Sequence, residues 1–137
     1  MRAFLALISA VMLTVSVWSQ TLLPQAEGSR VTLSALIEMP KGYVSGLCVI
    51  LREDEQLRCC MFNEFGITAL DFSYDIVKQK VKINSAVAML NKWHIKRTLR
   101  GDLKQVIIGL ERGDTLYTNH KRGIKYEFKP IADDTEG

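Results

Sequence analysis

From Val31 to Ile37 apolar residues recur at every second position: Val31, Leu33, Ala35 and Ile37 share one face, as in a half-buried strand. Met39-Pro40-Lys41-Gly42 ends it. The runs Val44 to Leu51 and Gln56 to Asn63 flank the polar turn Arg52-Glu53-Asp54-Glu55 and read as a hairpin, with Val44, Gly46, Cys48 and Ile50 on one face. Glu64-Phe65-Gly66 is a turn and Ile67 to Tyr74 a further strand. Asp75 to Lys78 turns again into a short strand, Gln79 to Ile83, with Val81 and Ile83 inward.

The period then changes. Ser85 is a candidate helix cap, and Ala86, Met89, Leu90 and Trp93 recur at helical spacing, predicting a helix that runs to about Arg97 or breaks near Asn91. Gly101-Asp102 offers a stop and a new cap. Leu103, Val106, Ile107 and Leu110 then follow at i, i+3, i+4 and i+7, an amphipathic helix closed by Gly113-Asp114. Thr115 to Asn119 and Ile124 to Pro130 form a last hairpin through His120-Lys121-Arg122-Gly123. Its second strand alternates Ile124, Tyr126 and Phe128 with Lys125, Glu127 and Lys129. Strands joined by such short turns are antiparallel. One face of the sheet must be covered, and the helical segment is the cover. The fold class is therefore α+β.

Ahead of this pattern lies an export signal. Arg2 is the positive start, Ala3 to Trp18 carry no charge, and Val17-Trp18-Ser19 fits a signal peptidase site with cleavage before Gln20. The apolar stretch is shorter than the ~20 residues of a spanning helix. The expected organisation is a signal peptide over 1–19, a flexible lead-in over 20–30, one α+β domain over 31–131 and an acidic tail over 132–137. The expected location is the periplasm, free or held weakly at a membrane. Net charge is +3 for the whole chain and about +2 without Arg2, too weakly basic to argue for nucleic acid.

Cys48, Cys59 and Cys60 are an odd set for an oxidising compartment. A hairpin centred on Glu53 and Asp54 puts Cys48 opposite Cys59, and one more loop residue puts it opposite Cys60. The alternatives are a cross-strand disulfide, which is geometrically demanding, and three small buried hydrophobes. No metal-ligand spacing is present, and no cofactor is expected.

Catalytic constellations are poorly supported. His94 sits among cations in Lys92-Trp93-His94-Ile95-Lys96-Arg97, and His120 sits in a turn beside Lys121 and Arg122. Glu53-Asp54 and Asp133-Asp134 read as solvated, and strand alternation turns Asp71 outward. No phosphate loop, zinc motif or calcium loop appears. The chain is not expected to be an enzyme. The basic segment Lys92, Lys96, Arg97, Arg100 and Lys104, interleaved with Trp93 and Ile95, is the candidate membrane-surface contact; an ordinary solvated helix face is the alternative.

Between Gly46 and Leu110 the order of motifs resembles the lipoprotein-localisation factor superfamily (LolA/LolB-like carriers and their shorter envelope relatives). The residues that carry the likeness are Asn63 to Gly66 as an N-x-x-G turn, Tyr74-Asp75 closing a strand, and Asp102-Leu103 opening a helix. The resemblance implies a curved antiparallel sheet of about six or seven strands, an incomplete barrel, with one or two short helices across its concave face. It also implies an apolar cavity for an acyl chain, a lipid or a lipid-modified partner. Its expected lining here is Phe65, Leu70, Phe72, Val87, Met89, Trp93, Val106 and Ile107. The chain departs from a full carrier in being shorter and in lacking a lipobox cysteine and a protruding apolar loop. The alternative function is a periplasmic structural or protein-interaction module with a filled core and no ligand.

Overall fold

A computed structural model describes residues 21–131; the export signal expected over 1–19 and the acidic tail expected over 132–137 lie outside the described residues. Strands β1 (Arg30–Met39), β2 (Gly42–Glu53), β3 (Gln56–Phe62), β4 (Thr68–Asp75) and β5 (Lys80–Ala86) follow one another through tight turns. Helix α1 (Trp93–Glu111) comes next, and the hairpin β6 (Leu116–Asn119) and β7 (Ile124–Pro130) ends the described chain. All pairings are antiparallel, in the spatial order β5-β4-β3-β2-β1-β7-β6. The sheet curls into a half-barrel and α1 lies across it. The α+β class and the incomplete barrel expected from the sequence are therefore both present.

Alternation decides which side chains fill the curl. Leu33, Ala35 and Ile37 of β1 are buried, as are Cys48 and Ile50 of β2, Leu57, Cys59 and Met61 of β3, and Tyr126 and Phe128 of β7. From the other side α1 contributes Leu99, Leu103, Val106, Ile107 and Leu110. That stripe spans Gly101, so the helix is continuous where a break was expected. An interior glycine costs about 1 kcal/mol of helix stability. Burying each leucine, isoleucine or valine yields about 1.5–3 kcal/mol, and five such positions outweigh one glycine.

The helix also starts later than its spacing suggested. Ser85 and Ala86 belong to β5, where the register shifts between Asp71 and Phe72 and leaves Asn84 without a strand partner. The extra residue keeps Ala86 opposite Leu70. Val87 N–H then donates to the Ala69 carbonyl (2.9 Å) and Leu90 N–H to the Val87 carbonyl (2.9 Å), a turn rather than a helix.

The β2–β3 hairpin corrects the cysteine register. Glu53 pairs with Gln56, so the loop is Asp54-Glu55, one residue later than expected. Asp54 takes a φ of 55°, a conformation aspartate tolerates. Moving the centre by one moves the pairing by two, which preserves the buried face. Cys48 therefore faces Met61, Cys59 faces Ile50 and Cys60 faces Val49. All three thiols are free, with Cys48 and Cys59 inside and Cys60 on the outer face.

The lead-in, expected to be loose, is tied down over its described part. Leu22 N–H donates to the Leu110 carbonyl (2.9 Å), Gly28 N–H to the Arg52 carbonyl (2.9 Å), and Asp54 N–H to Glu27 Oε1 (2.7 Å). Leu23 is buried against the core cluster.

Candidate functional site

The eight expected lining residues do not meet in one cavity. Leu70, Phe72, Val106 and Ile107 are buried in the core. On α1 beside Val106 and Ile107, Leu99, Leu103 and Leu110 are almost wholly without solvent contact. Over the middle of the half-barrel the gap expected between sheet and helix is filled by side chains from both layers, and Ile107 also lines a cleft at the end where α1 finishes. Phe65 and Trp93 are 77 % and 74 % exposed, Met89 is exposed and Val87 half-buried. These last four gather at one end of the half-barrel, the end at which α1 begins.

The topology forces that gathering. Antiparallel strands alternate in direction, so the β1–β2, β3–β4 and β6–β7 turns, the β5–α1 connection and the first turn of α1 all lie at the same end. This end is the mouth. Leu90, with no solvent contact, stoppers it from the 87–92 connection, and Met89 Sδ lies 3.2 Å from where a Cβ on Gly42 would stand. Asn63 shapes the β3–β4 turn: its Oδ1 accepts from Phe65 N–H (2.8 Å) and Ile67 N–H (3.0 Å), leaving both side chains in solvent.

Beside Leu90 a cleft of about 380 Å³ opens between the first turns of α1, the β1–β2 turn and the β6–β7 turn. Met39, Met89, Ile95 and Ile124 give it an apolar floor, and Lys41, Lys92 and Arg122 a cationic rim. None of the three cations makes an ion pair among the described residues, and no carboxylate lines the cleft. The volume lies within the range of small-ligand sites. His94 also reaches it, its ring edge-on to Trp93 with centroids 5.5 Å apart.

The sequence marked Met89, Lys92 and Ile95, and Arg122 as a cation of the last turn, but missed Met39, Lys41 and Ile124. These three come from two segments distant from α1 in the chain, and no local period ties them to it. The remaining basic residues of the expected surface are spread along α1. Arg97 and Arg100 are exposed, whereas Lys96 and Lys104 are half-buried.

A second cleft, of about 420 Å³, lies at the opposite end, the foot, between Leu23, Pro24, Leu57, Tyr74, Ile76 and Ile107. Its charged lining is mixed, Arg52 and Arg112 with Glu111, and the lead-in supplies part of its wall. It offers apolar space without the single sign of charge that marks the mouth.

Asp102 is the one buried charged side chain among the described residues. Asn119 Nδ2 donates to both of its oxygens (2.9 and 3.0 Å), and the Tyr126 hydroxyl donates to Oδ2 (2.6 Å). Burial, then the hydrogen bond to Asp102 and the charge of that carboxylate, push the Tyr126 hydroxyl far above its usual pKa. Burial pushes the Cys48 thiol up to about 12 and raises Cys59 strongly as well. Such thiols are held neutral and are poor nucleophiles.

No family model, curated protein or solved structure matches this chain. Among the described residues no helix is long and apolar enough to cross a membrane.

Proposed function

We propose that this is a non-enzymatic envelope protein that binds an anionic amphiphile, an acyl chain carrying a carboxylate or phosphate, or a partner modified with one. The observation that carries this is the mouth cleft, where an apolar floor of Met39, Met89, Ile95 and Ile124 meets the cations Lys41, Lys92 and Arg122. Methionines suit a flexible chain because their unbranched side chains adapt to it. The likeness to lipoprotein-localisation factors points the same way in ligand class, with the binding place moved from the filled concavity to its rim.

The test is titration with palmitate, read by calorimetry and native mass spectrometry. One bound palmitate per chain is expected, with affinity about tenfold weaker in the Lys41→Glu, Arg122→Glu double variant, since 1.4 kcal/mol is tenfold. The closed core between sheet and helix favours a second reading, an interaction module without a ligand. Absence of saturable palmitate binding by the parent chain rejects the first reading and leaves the second.

A further inference from the structure

We infer that the mouth as a whole is a docking face for an anionic bilayer surface. This goes beyond the cleft and does not require it to be occupied. Nine large apolar side chains are exposed among the described residues, and five of them, Tyr43, Phe65, Ile67, Met89 and Trp93, belong to this one end. They come from four separate stretches of chain: the start of β2, the β3–β4 turn, the β5–α1 connection and the first residue of α1. An apolar rim built from so many pieces is a property of the end and not of one loop.

The charge follows the same axis. Lys41, Lys92, Lys121 and Arg122 stand exposed in the mouth turns, against Glu64 in the β3–β4 turn and Glu38 near the end of β1. The foot is mixed: Asp54, Glu55, Glu111 and Asp114 are exposed there beside Arg30, Lys78, Lys80 and Arg112, with Glu27 tied to the β2–β3 turn. The molecule therefore presents one basic, apolar end and one end of mixed charge. Trp and Tyr side chains settle at the headgroup level of a bilayer, and cations beside them are drawn to anionic lipid. A protein partner of acidic surface would answer the charge, yet it would not call for Phe65 and Trp93 standing clear of the fold. An anionic bilayer answers both.

The test uses the chain from Thr21 onward, because the strands, the helix and the core they close all lie within residues 21–131. In that chain Trp93 is the one tryptophan. Co-sedimentation is measured with vesicles of phosphatidylglycerol and phosphatidylcholine mixed, and with phosphatidylcholine alone. Binding to the mixed vesicles is expected, with a blue shift of Trp93 emission. Binding should fall at least tenfold without the anionic lipid or in raised salt. The Lys41→Glu, Lys121→Glu pair should lower the partition coefficient at least tenfold. Lys78→Glu at the foot should lower it less than twofold. The Phe65→Ala, Trp93→Ala pair should weaken vesicle binding at least tenfold while palmitate titration stays within twofold, because neither side chain lines the cleft. Both residues are exposed, so thermal melting of that pair should match the parent. Vesicle binding without palmitate binding would uphold the docking face and reject the cleft. Palmitate binding with no vesicle binding, or equal binding to neutral vesicles, would overturn the docking face.

Discussion

The Tyr126 hydroxyl lies 2.6 Å from Asp102 Oδ2 and donates a hydrogen bond to it, joining the middle of α1 to β7, the last strand. Asn119 completes the grip from the end of β6. The buried carboxylate is thus satisfied on both oxygens, and no buried side-chain polar atom among the described residues lacks a partner. Tyr126→Phe keeps the ring volume and removes one hydrogen bond to a charged group. It should cost ~1.5–3 kcal/mol in urea unfolding; a loss under ~0.5 kcal/mol would mean that Asn119 alone holds the carboxylate.

Stability should fall on the alkaline side. Cys48 has its pKa raised from 9.0 to about 12, and Cys59, Tyr74 and Tyr126 are raised too, chiefly by burial. In the unfolded chain these groups ionise near their ordinary values, whereas folding keeps them neutral. Their contribution is complete below about pH 9, the ordinary thiol value, and is lost as pH rises toward 12. Melting temperature should be level from pH 7 to about 8.5 and decline above about 9. A profile level through pH 11 would contradict buried, neutral thiols.

Two glycines should respond with opposite signs. Gly101 sits on the solvent side of α1, and a Cβ there meets nothing within 4 Å. Gly101→Ala should stabilise by about 0.5–1 kcal/mol. Gly46 lies where the end of β3 passes close over β2, and a Cβ there would land on the Phe62 carbonyl. Gly46→Ala should destabilise by at least ~2 kcal/mol, because backbone and not a movable side chain must give way. Chemical denaturation of both variants checks the pair.

The cysteines should count as three alkylatable thiols in unfolded, unreduced protein, because none is bridged. In the native state Cys60 on the outer face should be modified first, and Cys48 and Cys59 only as the protein unfolds. A single alkylatable thiol after unfolding would place a disulfide in the β2–β3 pair.

Val106→Phe tests the filled interior directly. Val106 is buried between α1 and the sheet, so the larger ring should cost ~1–3 kcal/mol by overpacking. No loss of stability would reveal free space in the concavity that side chains do not fill.

The sequence by itself determined the elements that depend on one period. The alternation of Val31 to Ile37 and of Ile124 to Phe128 marked β1 and β7, and Leu103, Val106, Ile107 and Leu110 marked the buried stripe of α1, because each face repeats within a few residues. Tertiary structure decided what rests on competition or on meeting. It carried α1 through Gly101, since the helix's buried stripe outweighs one glycine, and it kept Ser85 and Ala86 in β5, where Asn84 steps out of the ladder. It set the cysteine register through the conformation of Asp54, which no pattern of apolar residues encodes. It also built the mouth. Lys41, Met89, Lys92, Arg122 and Ile124 are scattered along the chain and share a cleft only because antiparallel strands return their turns to the same end.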